Sequence, residues 1–304
     1  MLPRLLERTR EAIRARHFRI VVDYGFSAAS YVLPLVLDPL GVEMVAARAF
    51  PSDVTAEASE PVAASMGQAK SLVSAIGADL GAVFDRPGER LYLIDEQARE
   101  VPLEQTLLLY LRLLGSDGRR GKLAFPVTVT SQVDRLAEGS GLEVVRTAAS
   151  LQELTRVAAD EGVVFAGAVG GGYLFPEFLP GYDAVASLVK LLELLAPVER
   201  PISELVAELP RPTLVHRQLP CQWAMKGVVM RVLNERLAGR HLDLTDGIKV
   251  FDERGWAQVL PDPDEPIIHL YAEGESTEAS EELADELRGM VDEIAQGEAA
   301  EART

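Results

Sequence analysis

The run Asp246-Gly247-Ile248-Lys249-Val250, then Trp256, then Leu260-Pro261-Asp262-Pro263-Asp264-Glu265-Pro266 and Ile267-Ile268-His269-Leu270-Tyr271-Ala272-Glu273, decides how the chain is read. Its apolar stretches predict two strands, around 248–259 and 266–272, joined by an acidic turn stiffened by proline. In such a turn Asp side chains bond most simply to their own backbone. The other use open to Asp262, Asp264 and Glu265 is a flexible oxygen site for a cation. Upstream, 213–219 reads as a strand and 222–237 as a helix. Downstream, 277–295 reads as a helix, which completes a small α+β domain over 211–304.

Toward the N-terminus the pattern changes to alternating helix and strand. A helix near 3–16, with Leu5, Leu6, Ala12 and Ile13 on one side, precedes a strand at 17–22. Asp23–Ser30 turns into a helix that Pro39 and Gly41 end, and 42–46 is a second strand. A helix at 60–76, strands at 79–84 and 90–94, and a helix at 103–114 follow. The polar run Gly115–Gly121 marks a boundary. A second block then holds strand 123–129, helix 131–139, strand 142–145, helix 150–160, strand 163–166 and a leucine-rich helix over 182–196. Strands alternating with helices of this length imply largely parallel sheets covered on both faces. The expected fold class is therefore α/β, with two Rossmann-like domains, 1–118 and 119–210, ahead of the α+β domain.

This succession, and the stretch quoted first, resemble domains two, three and four of the phosphohexomutases, the phosphomannomutase and phosphoglucomutase superfamily, from about residue 4 to about residue 295. The resemblance implies intramolecular phosphotransfer on hexose phosphates, within carbohydrate metabolism. It also implies a site built from a metal loop, a sugar loop and a phosphate loop. The family's first domain, which bears the phosphoserine, would lie upstream. No serine here occupies its setting, and we expect a truncated or fused origin. Pro220–Arg231 and the Leu-Pro-Asp-Pro-Asp-Glu-Pro loop are similar to a divergent branch. There a mutase-like region is fused behind a sugar-nucleotide pyrophosphorylase, as in mannose-1-phosphate guanylyltransferase/phosphomannomutase proteins.

The family's motifs persist as a frame that has lost its polar groups. In the phosphate loop, Arg-x-Ser-(Gly/Asn)-Thr-Glu-Pro, Leu260 stands at the Arg, Asp262 at the Ser and Asp264 at the Thr, so a loop that holds a dianion becomes one that repels it. The metal loop, Asp-x-Asp-x-Asp-Arg, corresponds to Asp85-Arg86-Pro87-Gly88-Glu89-Arg90, behind Gly77-Ala78-Asp79-Leu80-Gly81. Asp85 and Arg90 match, Pro87 removes the middle carboxylate, and Glu89 replaces the third with a longer arm. Magnesium demands near-octahedral oxygen ligands, so we expect weak Mg²⁺ binding at most, and a Pro-Gly turn between two strands explains the segment directly. In the sugar loop, Gly-Glu-x-Ser-Gly-His, the chain has Gly167-Ala168-Val169-Gly170-Gly171-Gly172. Ala168 and Gly170 remove the partners of sugar hydroxyls, on which discrimination rests. Backbone N–H groups there could still cradle a phosphate, although the Lys and Ser/Thr of a P-loop do not follow. Lys226 and Arg231, with Arg90, are the cations left on the inherited scaffold. His17, His216, His241 and His269 show no ligand spacing and read as incidental, and Cys221 lacks an oriented base.

The net charge of −17 argues against nucleic acid or an anionic membrane as partner, because phosphate binding needs concentrated Lys and Arg. Much of that charge sits on the last helix and reads as a solvated face. A single cysteine rules out an internal disulfide and a thiolate metal cage, and suits the reducing cytoplasm. No apolar run reaches the ~18–20 residues that span a bilayer, and the Arg-rich N-terminus lacks the apolar core of a signal peptide. We expect no catalytic residue and no cofactor in this chain. The expected role is a non-catalytic module that regulates or supports a nucleotidyltransferase domain, or a homo-oligomer. A mutase completed by an upstream domain, acting on hexose phosphate, and a sugar-phosphate sensor are the alternatives.

Overall fold

The computed structural model describes residues 10–50 and 62–301, with side chains described to residue 295. The chain divides into two compact units, Met1–Arg146 with Ser150–Pro210, and Thr147–Ala149 with Arg211–Thr304.

In the first unit, helix α1 (Arg10–Arg16) buries Ile13 and leads to β1 (Arg19–Asp23). The rest of the expected N-terminal helix, with Leu5 and Leu6, lies outside the described residues, as do 60 and 61. The run Ile20-Val21-Val22 is buried on both faces, as a central parallel strand requires. It pairs in parallel with β2 (Glu43–Ala47) and with β3 (Leu80–Phe84). Antiparallel β4 (Leu91–Ile94) and a short β5 (Glu100–Val101) extend the sheet to the order β2-β1-β3-β4-β5.

The helix expected after Ser30 is broken. A 3₁₀ turn at Ala28–Tyr31, a five-residue α2 (Leu33–Leu37) and a second 3₁₀ turn at Asp38–Leu40 take its place. Pro34 and Pro39 lack the N–H that a continuous helix would use. Helix α3 (Val62–Ile76) then packs its Met66, Ala69 and Val73 under the sheet.

Helix α4 (Leu103–Ser116) is buried along most of its length and runs into the second sheet, order β7-β6-β8-β9. Its strands are β6 (Gly121–Pro126), β7 (Leu142–Thr147), β8 (Val163–Gly167) and β9 (Tyr173–Leu174). β6 and β8 are parallel and β8 and β9 antiparallel. Helices α5 (Gln132–Ala137), α6 (Leu151–Ala158), α7 (Ala184–Leu195) and a short α8 (Ile202–Ala207), which the sequence pattern does not mark, complete the unit. Every residue of α7 is buried, and Asp183 caps its start by accepting from Ala186 N at 2.9 Å. One apolar core joins α4, α7 and both sheets. At its centre Tyr110 lies 4.7 Å from Tyr173, 5.6 Å from Phe165 and 5.7 Å from Phe175, ring to ring, and donates its hydroxyl to Ser187 O at 2.7 Å.

The second unit is an antiparallel sheet, order β10-β14-β13-β12-β11, with helices α9 (Trp223–Arg236) and α10 (Thr277–Glu301) on one face. Its strands are β10 (Val215–Pro220), β11 (His241–Asp243), β12 (Ile248–Asp252), β13 (Gly255–Pro261) and β14 (Ile267–Gly274). The single strand expected over 248–259 is two. The chain reverses at Glu253-Arg254, where Asp252 accepts from Arg254 N at 2.8 Å. Alternation is strict in β14: Ile268, Leu270 and Ala272 are fully buried among Val229, Leu233, Leu283 and Leu287, while His269 and Tyr271 point to the other face.

The acidic last helix is less freely solvated than its composition suggests. Glu281 and Asp285 hold Arg217, Glu286 holds Arg240 and Arg254, and Glu293 holds Arg236. Among the described residues, no helix is long and apolar enough to cross a membrane.

Candidate functional site

Two of the three loops singled out in the sequence meet in the first unit. The Asp85–Arg90 segment is a tight turn between β3 and β4. Asp85 Oδ1 accepts from Glu89 N at 2.8 Å and Arg90 N at 2.9 Å, while Asp85 O accepts from Gly88 N at 3.0 Å. Gly88 has φ +77°, and a Cβ there would fall 2.6 Å from Ser27 Oγ, so the turn demands glycine. Just beyond it, Arg90 bridges to Gly172 and Leu91 N donates to Gly171 O at 3.0 Å, which docks the turn on the glycine loop. Gly88 O also accepts from Ala184 N at 2.9 Å, at the start of α7.

As a cage for Mg²⁺ these residues do not fit. Asp85 Oδ1 is already engaged by two N–H groups, Pro87 supplies no donor, and Glu89 is the only other carboxylate on the turn. Among the described residues no three His, Cys, Asp or Glu side chains group as metal ligands. The Arg90 guanidinium, half exposed, stands 4.0 Å from Asp85 Oδ2 and against Gly170.

Gly167, Gly171 and Gly172 are buried, Ala168 is half-buried and Gly170 exposed. Ala168 N donates to Gly172 O at 3.2 Å, closing the loop on itself. A Cβ on Gly172 would fall 2.6 Å from the ring of Tyr182, so the aromatic ring fills the space a side chain would take. A cavity of about 370 Å³ opens elsewhere, between Arg119, Asp160, Pro176, Glu177 and Pro180, and neither loop lines it.

Beside that cavity the structure holds a charge network that the sequence pattern conceals. Lys190, on the all-apolar-looking α7, is 1% exposed and binds Glu177 at 2.5 Å and Glu193 at 2.9 Å. Arg119 joins the same two carboxylates and Asp117. The i, i+3 spacing of Lys190 and Glu193 was the available signal. Likewise Asp23, fully buried at the end of β1, takes Arg48 Nε at 3.0 Å and Gly25 N at 3.0 Å.

The third loop, Leu260–Pro266, belongs to the second unit and is held from two sides. Asp262 Oδ1 accepts from Asp264 N at 2.7 Å and Glu265 N at 2.6 Å. Asp262 Oδ2 takes His269 Nε2 at 2.9 Å. The His269 bond foremost, then those two backbone N–H groups, pull the Asp262 carboxyl down to about 2. Lys226, buried on α9, sends its ammonium to the carbonyls of Asp262 and Glu265 and lies 3.8 Å over the Trp223 ring. It closes the loop, where the sequence marks it as a cation open to a ligand. Asp264 and Glu265 are exposed, and Leu260 is half-buried. Arg231 lies on the exposed face of α9, paired with Glu235 at 3.3 Å.

The histidines are not all incidental. His216 on β10 and His269 on β14 meet nitrogen to nitrogen at 2.9 Å, and His216 stacks on Tyr271 at 4.4 Å with 7° between the planes. Residues 53 apart carry no local spacing signal, so only the β10–β14 pairing could have revealed the contact.

Residues 4–98 match the family model "Phosphoglucomutase/phosphomannomutase, alpha/beta/alpha domain II", and residues 104–213 match the model for domain III. The chain belongs to the phosphoglucomutase/phosphomannomutase family. A Methanopyrus kandleri protein named "Probable phosphoglucosamine mutase" is 31% identical over 276 residues, covering 90% of this chain and 61% of that protein. A Thermococcus kodakarensis "Phosphoglucomutase/phosphomannomutase" is 30% identical, over 90% of this chain and 60% of its own length. The chain thus spans about three fifths of these relatives. Among solved structures, a family protein from Burkholderia thailandensis superimposes with a TM-score of 0.77 at 21% identity, over 95% of this chain and 64% of that one. A structure described as a putative phosphomannomutase from Thermus thermophilus gives 0.71 at 20% identity, over 96% and 65%. These superpositions speak for the fold.

Proposed function

We propose that this chain is a phosphohexomutase-family module that does not itself turn over hexose phosphates. In this reading it serves in the cytoplasm as a regulatory or assembly part of a sugar-nucleotide pyrophosphorylase system. One observation carries the proposal. The N–H groups of Asp264 and Glu265, the donors a bound phosphate would use, are bonded to the loop's own Asp262 carboxylate. An anion already fills that place, and it is part of the chain.

Leu260 supplies no charge there, Lys226 is turned to carbonyl oxygens, and Asp85 is spent on its own turn. Removing one oxyanion-stabilising donor costs ~10²–10³ in rate, so several such losses leave little chemistry. Any Mg²⁺ bound through Asp85 and Glu89 would be weakly held, with too few ligands to serve the chemistry. The test is incubation with glucosamine 6-phosphate, mannose 6-phosphate or glucose 6-phosphate and Mg²⁺, followed by phosphorus NMR. No 1-phosphate should form, and conversion at the ordinary enzymatic ~1–10³ s⁻¹ would overturn the proposal.

A second reading, a mutase acting on hexose phosphates, draws on the mutase names of relatives about 30% identical over 90% of the chain. It requires a phosphoserine supplied by a further segment or partner. Absence of any phosphoenzyme in the complete natural protein would end it.

A further inference from the structure

The line Asp262–His269–His216 crosses three adjacent strands, since Asp262 follows β13, His269 is on β14 and His216 is on the edge strand β10. We propose that these residues form a proton-operated staple. It holds while the two imidazoles together carry at most one extra proton, and it releases β10 when both are charged.

The chemistry follows from donors and acceptors. An ionised carboxylate only accepts, so His269 Nε2 carries a hydrogen and donates to Asp262. In the neutral ring His269 Nδ1 is then an acceptor, and His216 Nε2–H donates to it. One added proton can be housed at His269 Nδ1. His216 then changes tautomer, its Nε2 becomes the acceptor, and the bond survives with its direction reversed. A second proton leaves N–H facing N–H across 2.9 Å, with two like charges and no acceptor between them.

The surroundings favour that order. Partial burial and the neighbouring His269 both hold the His216 imidazole below its ordinary range. Tyr271 of β14 covers one face of His216. From the loop come Asp262, Asp264 and Glu265, and from α9 comes Lys226, directed to the loop carbonyls. Arg217, next to His216 on β10, is engaged by Glu281 and Asp285 of α10. Glu273, further along β14, holds Trp256. At the end of β10, Cys221 N donates to Pro266 O at 2.8 Å. Release of this strand therefore loosens the Leu260–Pro266 loop itself. The proposal does not depend on whether that loop binds a phosphate.

The test is amide hydrogen exchange on the full chain at about pH 7.5 and about pH 5, the span in which histidine titrates, corrected for intrinsic exchange. Protection of the β10 amides should fall by ~10-fold or more relative to β12. His216→Phe, which keeps an aromatic ring on Tyr271 and cannot titrate, should abolish that step. Equal changes in β10 and β12, or the same step in the variant, would overturn the staple. Histidine ring NMR gives a second measurement. His216 should titrate at lower pH in the unmodified chain than in His269→Gln, and coincident midpoints would also overturn it.

Discussion

Both oxygens of the Asp262 carboxylate are engaged within the protein, and the consequence can be measured through acid. The His269 bond and the loop N–H groups hold its carboxyl down to about 2 in the folded chain, against 3.8 for the free side chain. A depressed folded value means the stabilisation is complete above the unfolded value and disappears as pH falls through the folded one. Asp262→Asn keeps an oxygen for the loop N–H groups but loses the charge facing His269. The variant should melt below the parent at about pH 5, and the gap should close between about pH 4 and about pH 2. A gap that does not narrow on acidification contradicts the assignment. Lys226 makes the complementary case. Lys226→Met removes the ammonium from two carbonyls, of which Glu265 O keeps its bond from Ile267 N at 2.8 Å. The loss should therefore fall at the low end of the ~1–3 kcal/mol of an unmatched acceptor, readable by urea unfolding. The sequence announces Asp262 as a turn residue. It does not announce His269 as its partner, because seven residues along a strand and turn bring groups together only once the register of β13 on β14 is known.

At the scale of elements, α7 shows where pattern reading works and where it stops. The leucine run between Asp183 and Pro197 marks a buried helix with its cap, and the structure has one over Ala184–Leu195. Periodicity says nothing about how a lysine and a glutamate survive inside it. They survive because Arg119, from the boundary run before β6, and Glu177, from the loop that leads into α7, complete the network. Lys190→Ala should destabilise the chain by ~3–5 kcal/mol, since it leaves Glu193 buried without its nearest cation. Replacing both, as Lys190→Met with Glu193→Leu, should cost far less, and equal losses in the two variants would show that the ion pair is not the origin. The broken helix after Ser30 and the extra reversal at Glu253-Arg254 escape the pattern for a plainer reason. Apolar periodicity persists across both interruptions, while proline placement and one Asx-type turn decide where hydrogen bonding stops.

For the whole molecule, the alternation of strands and helices foretells the parallel pairings within the sheets of the first unit, and the last segment reads as the small α+β second unit. The rhythm suggests two separate α/β blocks. The core around Tyr110 packs the two blocks against each other through α4 and α7. Tyr110→Ala should therefore lower amide protection in β1 and β3 and in β6 and β8 together, with a loss on the scale of ~3–5 kcal/mol for a large buried aromatic. Loss confined to one sheet would mean that the blocks open independently. The chain has two tryptophans, and both, half-exposed Trp223 under the Lys226 ammonium and buried Trp256 bonded to Glu273, belong to the second unit. Intrinsic tryptophan emission is thus a local optical probe. It brightens or shifts with the loop and its lysine, and a melt followed at that wavelength alone passes over the unfolding of the larger unit in silence.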